Sequence, residues 1–447
     1  MQEIRVKCYK LSDNLEGMVR VETKNLYVKD LLPGEEAIVK ITKDNGRVMQ
    51  GTVKSYISTA KERVKANCQA FDRCGACNML HLDYNFQLQF KNNLVAEKLR
   101  FAGFNNFNLG TIKGMDQPFN YRNKIIACFK YNKNNMVVPA LFQEESNELI
   151  YINNCSIQNK EGNKVLELVC EAINKLKIII FDPYGKRKGV LKFVLIKVAE
   201  QTGEIMVVFV CSSDIFPARN DLVKYITSRN SKIKTVIQNT NERETSVVLG
   251  PKERVLFGKG MIKDKLCGLE FFISSKSFYQ INPRQTEYLY NKAIELCEFK
   301  GYETVLDAYC GIGTIGLIAS QQAKKVIGIE VNKDAYKNAI LNSKHNNISN
   351  CRFYNADCTE FILEMTMNRE TVDIAIMDPP REGSTNEFMN ALIRLKPKKI
   401  IYISCNPITL AEDLKLLAEN YNLKEVFPVD MFPHTLHIET VVMLEKR

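Results

Sequence analysis

No apolar run in this sequence is long enough to cross a membrane. The longest uninterrupted stretch, Ile205 to Cys211, is seven residues, whereas a spanning helix needs about 20. The opening residues, MQEIRVKCYKLSDNLEG, are charged from the third position and lack the apolar block and small-residue cleavage site of a secretory signal. A cytoplasmic protein with no membrane partner is therefore expected. Internal repeats and low-complexity tracts are missing, and 45% hydrophobic against 25% charged residues excludes a disordered chain. Disulfides are not expected either, because cytosolic reductants keep thiols reduced. The 14 cysteines thus become candidates for metal binding or chemistry.

What is present fits about three domains in 447 residues. The excess of 62 Lys+Arg over 51 Asp+Glu, a net charge of +11, suggests a polyanionic partner, although a solvated basic surface explains it equally well. Short alternating runs fill residues 1–58, punctuated by Leu32-Pro33-Gly34 and by Asp44-Asn45-Gly46, a good hairpin turn. Evenly spaced short strands predict a small OB-like β-barrel. From Tyr84 to Ala102, Phe86, Phe90, Leu94, Val95 and Leu99 recur at helical spacing. Strands then predominate from Lys124 to Val210, interrupted by one helix over Gly162–Lys175. Two basic segments, Tyr121-Arg122-Asn123-Lys124 and Lys186-Arg187-Lys188, are each followed by aromatics. Such interleaving suits phosphate neutralisation with base stacking, as it also suits an ordinary amphipathic strand.

After Asn282, a good N-cap before Pro283, strands and helices alternate. Strands are predicted at Thr304–Asp307, Lys325–Glu330, Arg352–Asn355, Val372–Met377 and Lys399–Ser404, which implies a parallel, Rossmann-like α/β sheet. Leu423–Val429 and Ile438–Glu445 read as an antiparallel edge hairpin.

The sharpest signal is Asp307-Ala-Tyr-Cys-Gly-Ile-Gly-Thr-Ile-Gly316, a strand entering a glycine turn and a helix. Glycines let the backbone approach a ligand at the helix N-terminus, and Glu330 ends the next strand where ribose hydroxyls would lie. The glycine spacing admits either a dinucleotide or S-adenosylmethionine. Asp357 and Asp378-Pro379-Pro380, ending the third and fourth strands, favour the methyl donor. Cys405 ends the fifth strand, at the edge where ligands bind, and is a candidate nucleophile. Cys310, within the glycine turn, is expected to pack under the ligand. Glu439, a lone carboxylate leading an apolar run, is a candidate general base. Cys68, Cys74 and Cys77, with Cys155 as the best available fourth ligand, form a metal or cluster signal for which spacing does not separate zinc from iron–sulfur.

With these residues in view, the chain resembles the RNA uridine-5 methyltransferases. The likeness rests on the cluster cysteines, Ser277-Phe-Tyr-Gln280-Ile-Asn-Pro283, Asp307-Ala-Tyr-Cys-Gly-Ile-Gly313, Asp378-Pro-Pro-Arg381, Ser404-Cys-Asn-Pro407 and His437-Ile-Glu-Thr440. The resemblance implies a TRAM barrel over 1–58, a central cluster-bearing α/β domain over 59–270 and a class I S-adenosylmethionine-dependent methyltransferase domain over 271–447. It also implies that residues near 91–120 pack with the last domain. Gln280, Tyr309, Glu330, Asp357 and Asp378 are the implied donor contacts, Cys405 the nucleophile and Glu439 the base. Cys68, Cys74, Cys77 and Cys155 are the implied ligands of a [4Fe-4S] cluster. The implied partner is RNA, with 23S rRNA favoured over tRNA, and a monomer is the default. Two positions depart from the family: no histidine stands in Ala140-Leu-Phe-Gln-Glu-Glu-Ser146, and Lys192-Phe193 replaces a common Arg-His pair.

The chemistry agrees with the resemblance. C5 of uracil is too weak a nucleophile to take a methyl group directly, whereas thiolate addition at C6 activates it and a base must then remove the C5 proton. The target base must be flipped out of its stack. A base N-methyltransferase would leave Cys405 and Glu439 unused, and a non-catalytic RNA-binding protein would not need a full donor pocket. A radical methylase is disfavoured by the cysteine spacing.

Overall fold

The computed structural model describes residues 2–144, 146–182, 189–243 and 247–447; Lys186-Arg187-Lys188 lies outside the described residues. Two compact units emerge, Met1–Glu97 with His434–His437, and Lys98–Pro433 with Ile438–Arg447.

The first unit is built on β1 (Glu3–Lys7), β2 (Lys10–Leu11), β3 (Gly17–Val21), β4 (Lys24–Lys29), β5 (Glu36–Asp44) and β6 (Val48–Ser58). These six strands form one sheet in the order β1-β5-β6-β4-β3-β2. Alternation turns Val6, Val19, Leu26, Val28, Val39 and Met49 into a common core. The expected Asp44-Asn45-Gly46 turn joins β5 to β6, with Asn45 Oδ1 accepting the Val48 N–H at 2.8 Å. A closed barrel is not formed: among the described residues, the edge strands β1 and β2 do not pair with each other. β2 stops after two residues because a turn follows at once, Ser12 Oγ accepting the Asn14 and Glu16 N–H groups. α1 (Phe71–Cys74) and α2 (Tyr84–Phe101) come next. Asp83 Oδ1 receives the Asn85 and Phe86 amides at the start of α2, and Phe86 and Phe90 pack on Leu11, Leu32, Met79 and Leu82.

The second unit holds β7 (Asn108–Leu109) and a mixed sheet of β8 (Lys124–Tyr131), β9 (Val137–Phe142), β10 (Leu149–Tyr151), β11 (Leu191–Val198), β12 (Ile205–Cys211), β13 (Ile233–Thr240) and β14 (Lys252–Phe257). Its order is β10-β9-β8-β11-β12-β13-β14. α3 (Lys160–Lys175) and α4 (Arg219–Arg229) cover one face. The hairpin β15 (Met261–Leu266) and β16 (Leu269–Ser274) covers part of the other, Ile262 and Ile273 meeting Leu195, Val208 and Ile237. The middle of this sheet is therefore dry on both sides.

Then come α5 (Pro283–Cys297), β17 (Thr304–Ala308), α6 (Thr314–Ala319), β18 (Lys325–Ile329), α7 (Lys333–His345), β19 (Cys351–Tyr354), α8 (Cys358–Met367), β20 (Ile374–Met377), α9 (Asn386–Leu395), β21 (Lys399–Ser404), α10 (Pro407–Leu417), β22 (Tyr421–Val429) and β23 (Glu439–Lys446). The eight-stranded sheet runs β19-β18-β17-β20-β21-β23-β22-β7. Its first five strands are parallel, as the alternation predicts. The last two strands of the chain are not an edge hairpin. β23 lies between β21 and β22 because Val441, Val442 and Leu444 are buried on both faces, and β7 pairs in parallel with β22 to form the edge. Two residues of β7 are too few to read as a strand from sequence.

Candidate active site

The carboxyl edge of the parallel strands gathers the predicted residues. Tyr309 follows β17, Glu330 follows β18, Asp357 lies beyond β19, Asp378 follows β20 and Cys405 follows β21. β23 runs the opposite way, so its first residue, Glu439, starts at the same edge. That antiparallel insertion brings a carboxylate from the far end of the chain beside the fourth and fifth parallel strands.

The glycine turn is held from below. Glu330 Oε2 accepts the Gly311 N–H at 2.9 Å and Oε1 the Asn332 N–H at 2.6 Å. Tyr309, at φ 63°, and Gly311, at φ 57°, take the left-handed backbone that turns the strand into the loop. A Cβ on Gly316 would lie 2.6 Å from Asp307 Oδ2, so only glycine lets helix α6 sit this close to the strand. A Cβ on Gly311 would meet nothing within 4 Å, which leaves open space over the turn. Asp307 Oδ2 is buried with no hydrogen-bond partner. Burial pushes the Asp307 carboxyl up to about 8, against the Gly316 backbone amide and with the Asp378 and Glu330 charges adding to it. A glycine cradle, open space above it and carboxylates at the strand ends suit S-adenosylmethionine.

Two roles were not legible in the sequence reading. Asp357 caps α8, its Oδ1 accepting the Thr359 N–H at 2.8 Å and the Glu360 N–H at 3.1 Å. The Asp-x-x-Glu spacing at 357–360 is the signal that could have shown it. Asn342 on α7 ties the loop to β16, donating to Ile312 O at 3.1 Å and accepting the Phe272 N–H at 2.8 Å. Cys310, within the turn, is buried.

At the other end of the cleft, Ser404 pairs with Thr440, so Cys405 and Glu439 are the next residues outward on adjacent strands. Asn406, capping α10 through Ile408 N–H, and the Ser404 Oγ–Asn406 bonds fix the backbone around Cys405. The thiol is half-buried and pushed up to about 11, first by burial, then by the Glu439 and Asp378 carboxylates, with Arg381 pulling the other way. Glu439 is 3% exposed and its Oε2 has no hydrogen-bond partner. Burial, then the Asp378 charge, drives its carboxyl well above the usual range. Asp378 keeps a sliver of solvent contact, and burial lifts it to about 7. Gln280, on the segment leading into α5, hydrogen-bonds Tyr290, a fully enclosed phenol that senses the Asp378, Glu439 and Asp307 charges. A thiol, two desolvated acids and a buried amide therefore converge beside the glycine turn.

The cluster cysteines behave differently. Cys68, Cys74 and Cys77 lie around α1 in the first unit, and Cys155 precedes α3 in the second; all four are partly exposed. Among the described residues, no group of three or more His, Cys, Asp or Glu is gathered to hold a metal ion.

The sheet order, the glycine turn and the acid-lined edge define a class I S-adenosylmethionine-dependent methyltransferase. A family model described as tRNA (Uracil-5-)-methyltransferase matches residues 229–447. An uncharacterized RNA methyltransferase of Clostridium tetani is 36% identical, covering 96% of this chain and 93% of its own. Another, from Listeria innocua, is 34% identical, covering 99% and 97%. The solved structure of the Pyrococcus abyssi tRNA (uracil-54, C5)-methyltransferase in complex with S-adenosyl-L-homocysteine superposes with a TM-score of 0.78 at 27% identity, covering 99% of this chain and 100% of that one. The chain belongs to the RNA uracil-5 methyltransferase family, and it is an enzyme that uses S-adenosylmethionine.

Proposed function

We propose that this enzyme methylates C5 of a specific uridine in RNA through a covalent bond from Cys405 to C6 of the base. The observation that carries this reading is the meeting of Cys405 with Glu439 at the donor edge of the sheet. The Cys405 thiolate adds to C6, the resulting enolate carbon C5 takes the methyl group, and Glu439 accepts the C5 proton. The C6–S bond then breaks and returns the thiolate. S-adenosylmethionine, when bound, supplies an electrophilic methyl on a sulfonium. Gln280, Tyr309, Glu330, Asp357 and Asp378 would hold it, with Glu330 steadying the turn and Asp357 keeping Oδ2 for a ligand donor. The test is tritium release from RNA labelled at uridine C5, with methyl incorporation measured in parallel. Equal donor-dependent release and incorporation are expected, and incorporation without release would instead assign base N-methylation.

Two substrates have support. The four-cysteine set favours 23S rRNA, and the likeness to the Pyrococcus abyssi enzyme favours tRNA. Mapping the modification on both RNAs, each made without it, decides between them. The N-terminal sheet would serve as a TRAM-type RNA platform, with the enzyme working as a monomer. Cys68, Cys74, Cys77 and Cys155 would supply the all-thiolate donor set of a [4Fe-4S] cluster, and Gly75, at φ 66°, allows the reversal between Cys74 and Cys77. Iron and sulfide analysis of protein purified without oxygen is expected to find both. Zinc alone would assign a structural zinc site.

A further inference from the structure

Lys197 occupies a place that the fold of the sheet does not explain. It lies on β11 on the face that carries Leu195, where the β15–β16 hairpin excludes water, and is 7% exposed. Its direct cross-strand partner is another cation, Lys124. Like charges placed opposite each other weaken a sheet, and a buried amine is costly unless hydrogen-bonded. Glu253, whose charge favours the protonated Lys197, is itself engaged by Ser275 Oγ and Asn239 Nδ2. A leucine would suit this strand better.

What the amine does is hold backbone. Lys197 Nζ donates to Ser274 O and to Ser277 O, each at 2.8 Å. Those carbonyls bracket the turn between β16 and the run that carries Gln280. The serines close the turn themselves, Ser274 N–H to Ser277 Oγ at 2.9 Å and Ser277 N–H to Ser274 Oγ at 3.2 Å. Asn123, beside the start of β8, grips the other end. Its Nδ2 donates to Gln280 O at 3.1 Å, its N–H donates to Ile281 O at 2.9 Å, and its carbonyl accepts the N–H of Val198, the neighbour of Lys197. Residues 274–281 are thus clamped at both ends by adjacent positions of the central sheet. Burial, with Lys124 adding to it, lowers the Lys197 amine to about 7, and the neutral form still offers two N–H donors for two carbonyls.

We infer that Lys197, together with Asn123, is a positioning residue that presents Gln280 to the methyl donor by fixing the Ser274–Ile281 segment. This rests on the reading of Gln280 as a donor contact. The mechanism has no other use for the amine, which is removed from the reacting atoms by the segment it holds.

The test is a double-mutant cycle read by S-adenosylhomocysteine binding to the full-length enzyme, with thermal melting alongside. Lys197→Met is expected to weaken binding roughly tenfold and Lys197→Arg to restore it to within about threefold. In a Gln280→Ala background, Lys197→Met is expected to cost less than about twofold more, because the two residues act as one unit. Should Lys197→Met not fold, Asn123→Ala carries the same cycle. Parent-like binding by Lys197→Met, or effects that multiply, would overturn the inference while leaving Gln280 as a donor contact. If Gln280→Ala alone binds like the parent, the assignment of Gln280 fails and the inference falls with it.

Discussion

Cys405 stands one residue beyond Ser404 and Glu439 one residue before Thr440, so the antiparallel ladder of β21 and β23 ends in a facing thiol and carboxylate. Few arrangements fix two side chains more firmly, because both backbones are ordered by the pairing just behind them. From this geometry, an order of events can be tested residue by residue.

Replacing Glu439 with Gln keeps the shape of the site and removes the proposed proton acceptor. C5 methylation should stall after the methyl has moved, and the enzyme should remain bonded to RNA through Cys405. A band of combined protein and RNA mass that survives denaturing electrophoresis is the expected result. Turnover should fall by at least about a thousandfold.

Cys405→Ala should abolish both methyl incorporation and tritium release, since the proposed mechanism activates C5 through thiolate addition. Affinity for S-adenosylhomocysteine should stay within about threefold of the parent, as the loss concerns the reaction and not donor binding. Calorimetric titration checks this, and a fully active variant would refute the thiolate mechanism.

The thiol of the free enzyme should alkylate slowly. With Cys405 raised to about 11 from an ordinary 9.0, iodoacetamide should modify it at pH 7 roughly a hundredfold more slowly than an unperturbed thiol, followed by mass spectrometry of its peptide. Removing the Glu439 charge takes away a repulsion against the thiolate, so Glu439→Gln should speed alkylation at alkaline pH. A slower reaction would contradict the placement of the two groups.

Asp307 gives a stability test with a definite sign. Its folded carboxyl sits near 8, above the ordinary 3.8, so between these values the folded state binds the proton that the unfolded state has released. Stability from this group is present at low pH and lost as pH rises toward 8. Asp307→Asn, which does not titrate, should gain relative to the parent between pH 5 and pH 8, by ~3 °C or more in Tm at the upper end.

Much of the site was legible because parallel strands end where an apolar run is interrupted: Glu330 follows Ile329, Asp378 follows Met377, and Ser404 ends the run just before Cys405. Such interruptions mark the carboxyl edge, where function gathers. Glu439 was harder, since a carboxylate heading a strand reads equally as solvent-facing; only the insertion of β23 beside β21 buries it. Lys197 was not legible at all, because a lysine near the end of an apolar strand signals water until a hairpin more than 60 residues later covers that face. Five of the six N-terminal strands could be read from alternation and turns, the two residues of β2 being too few, but closure depends on whether β1 and β2 meet, which alternation does not encode.

The edge strand β7 has a consequence for synthesis on the ribosome. Asn108 reaches Glu425, 317 residues later in the chain, and at about 5–20 residues per second roughly 15–60 s separate the making of these partners. During that interval the early segment has no sheet to join, and the methyltransferase layer stays unfinished until β22 and β23 have been made. A chain released before that point has a sheet that still lacks β22, β23 and Glu439, so a partial product carries Cys405 after β21 without the carboxylate that pairs beside it.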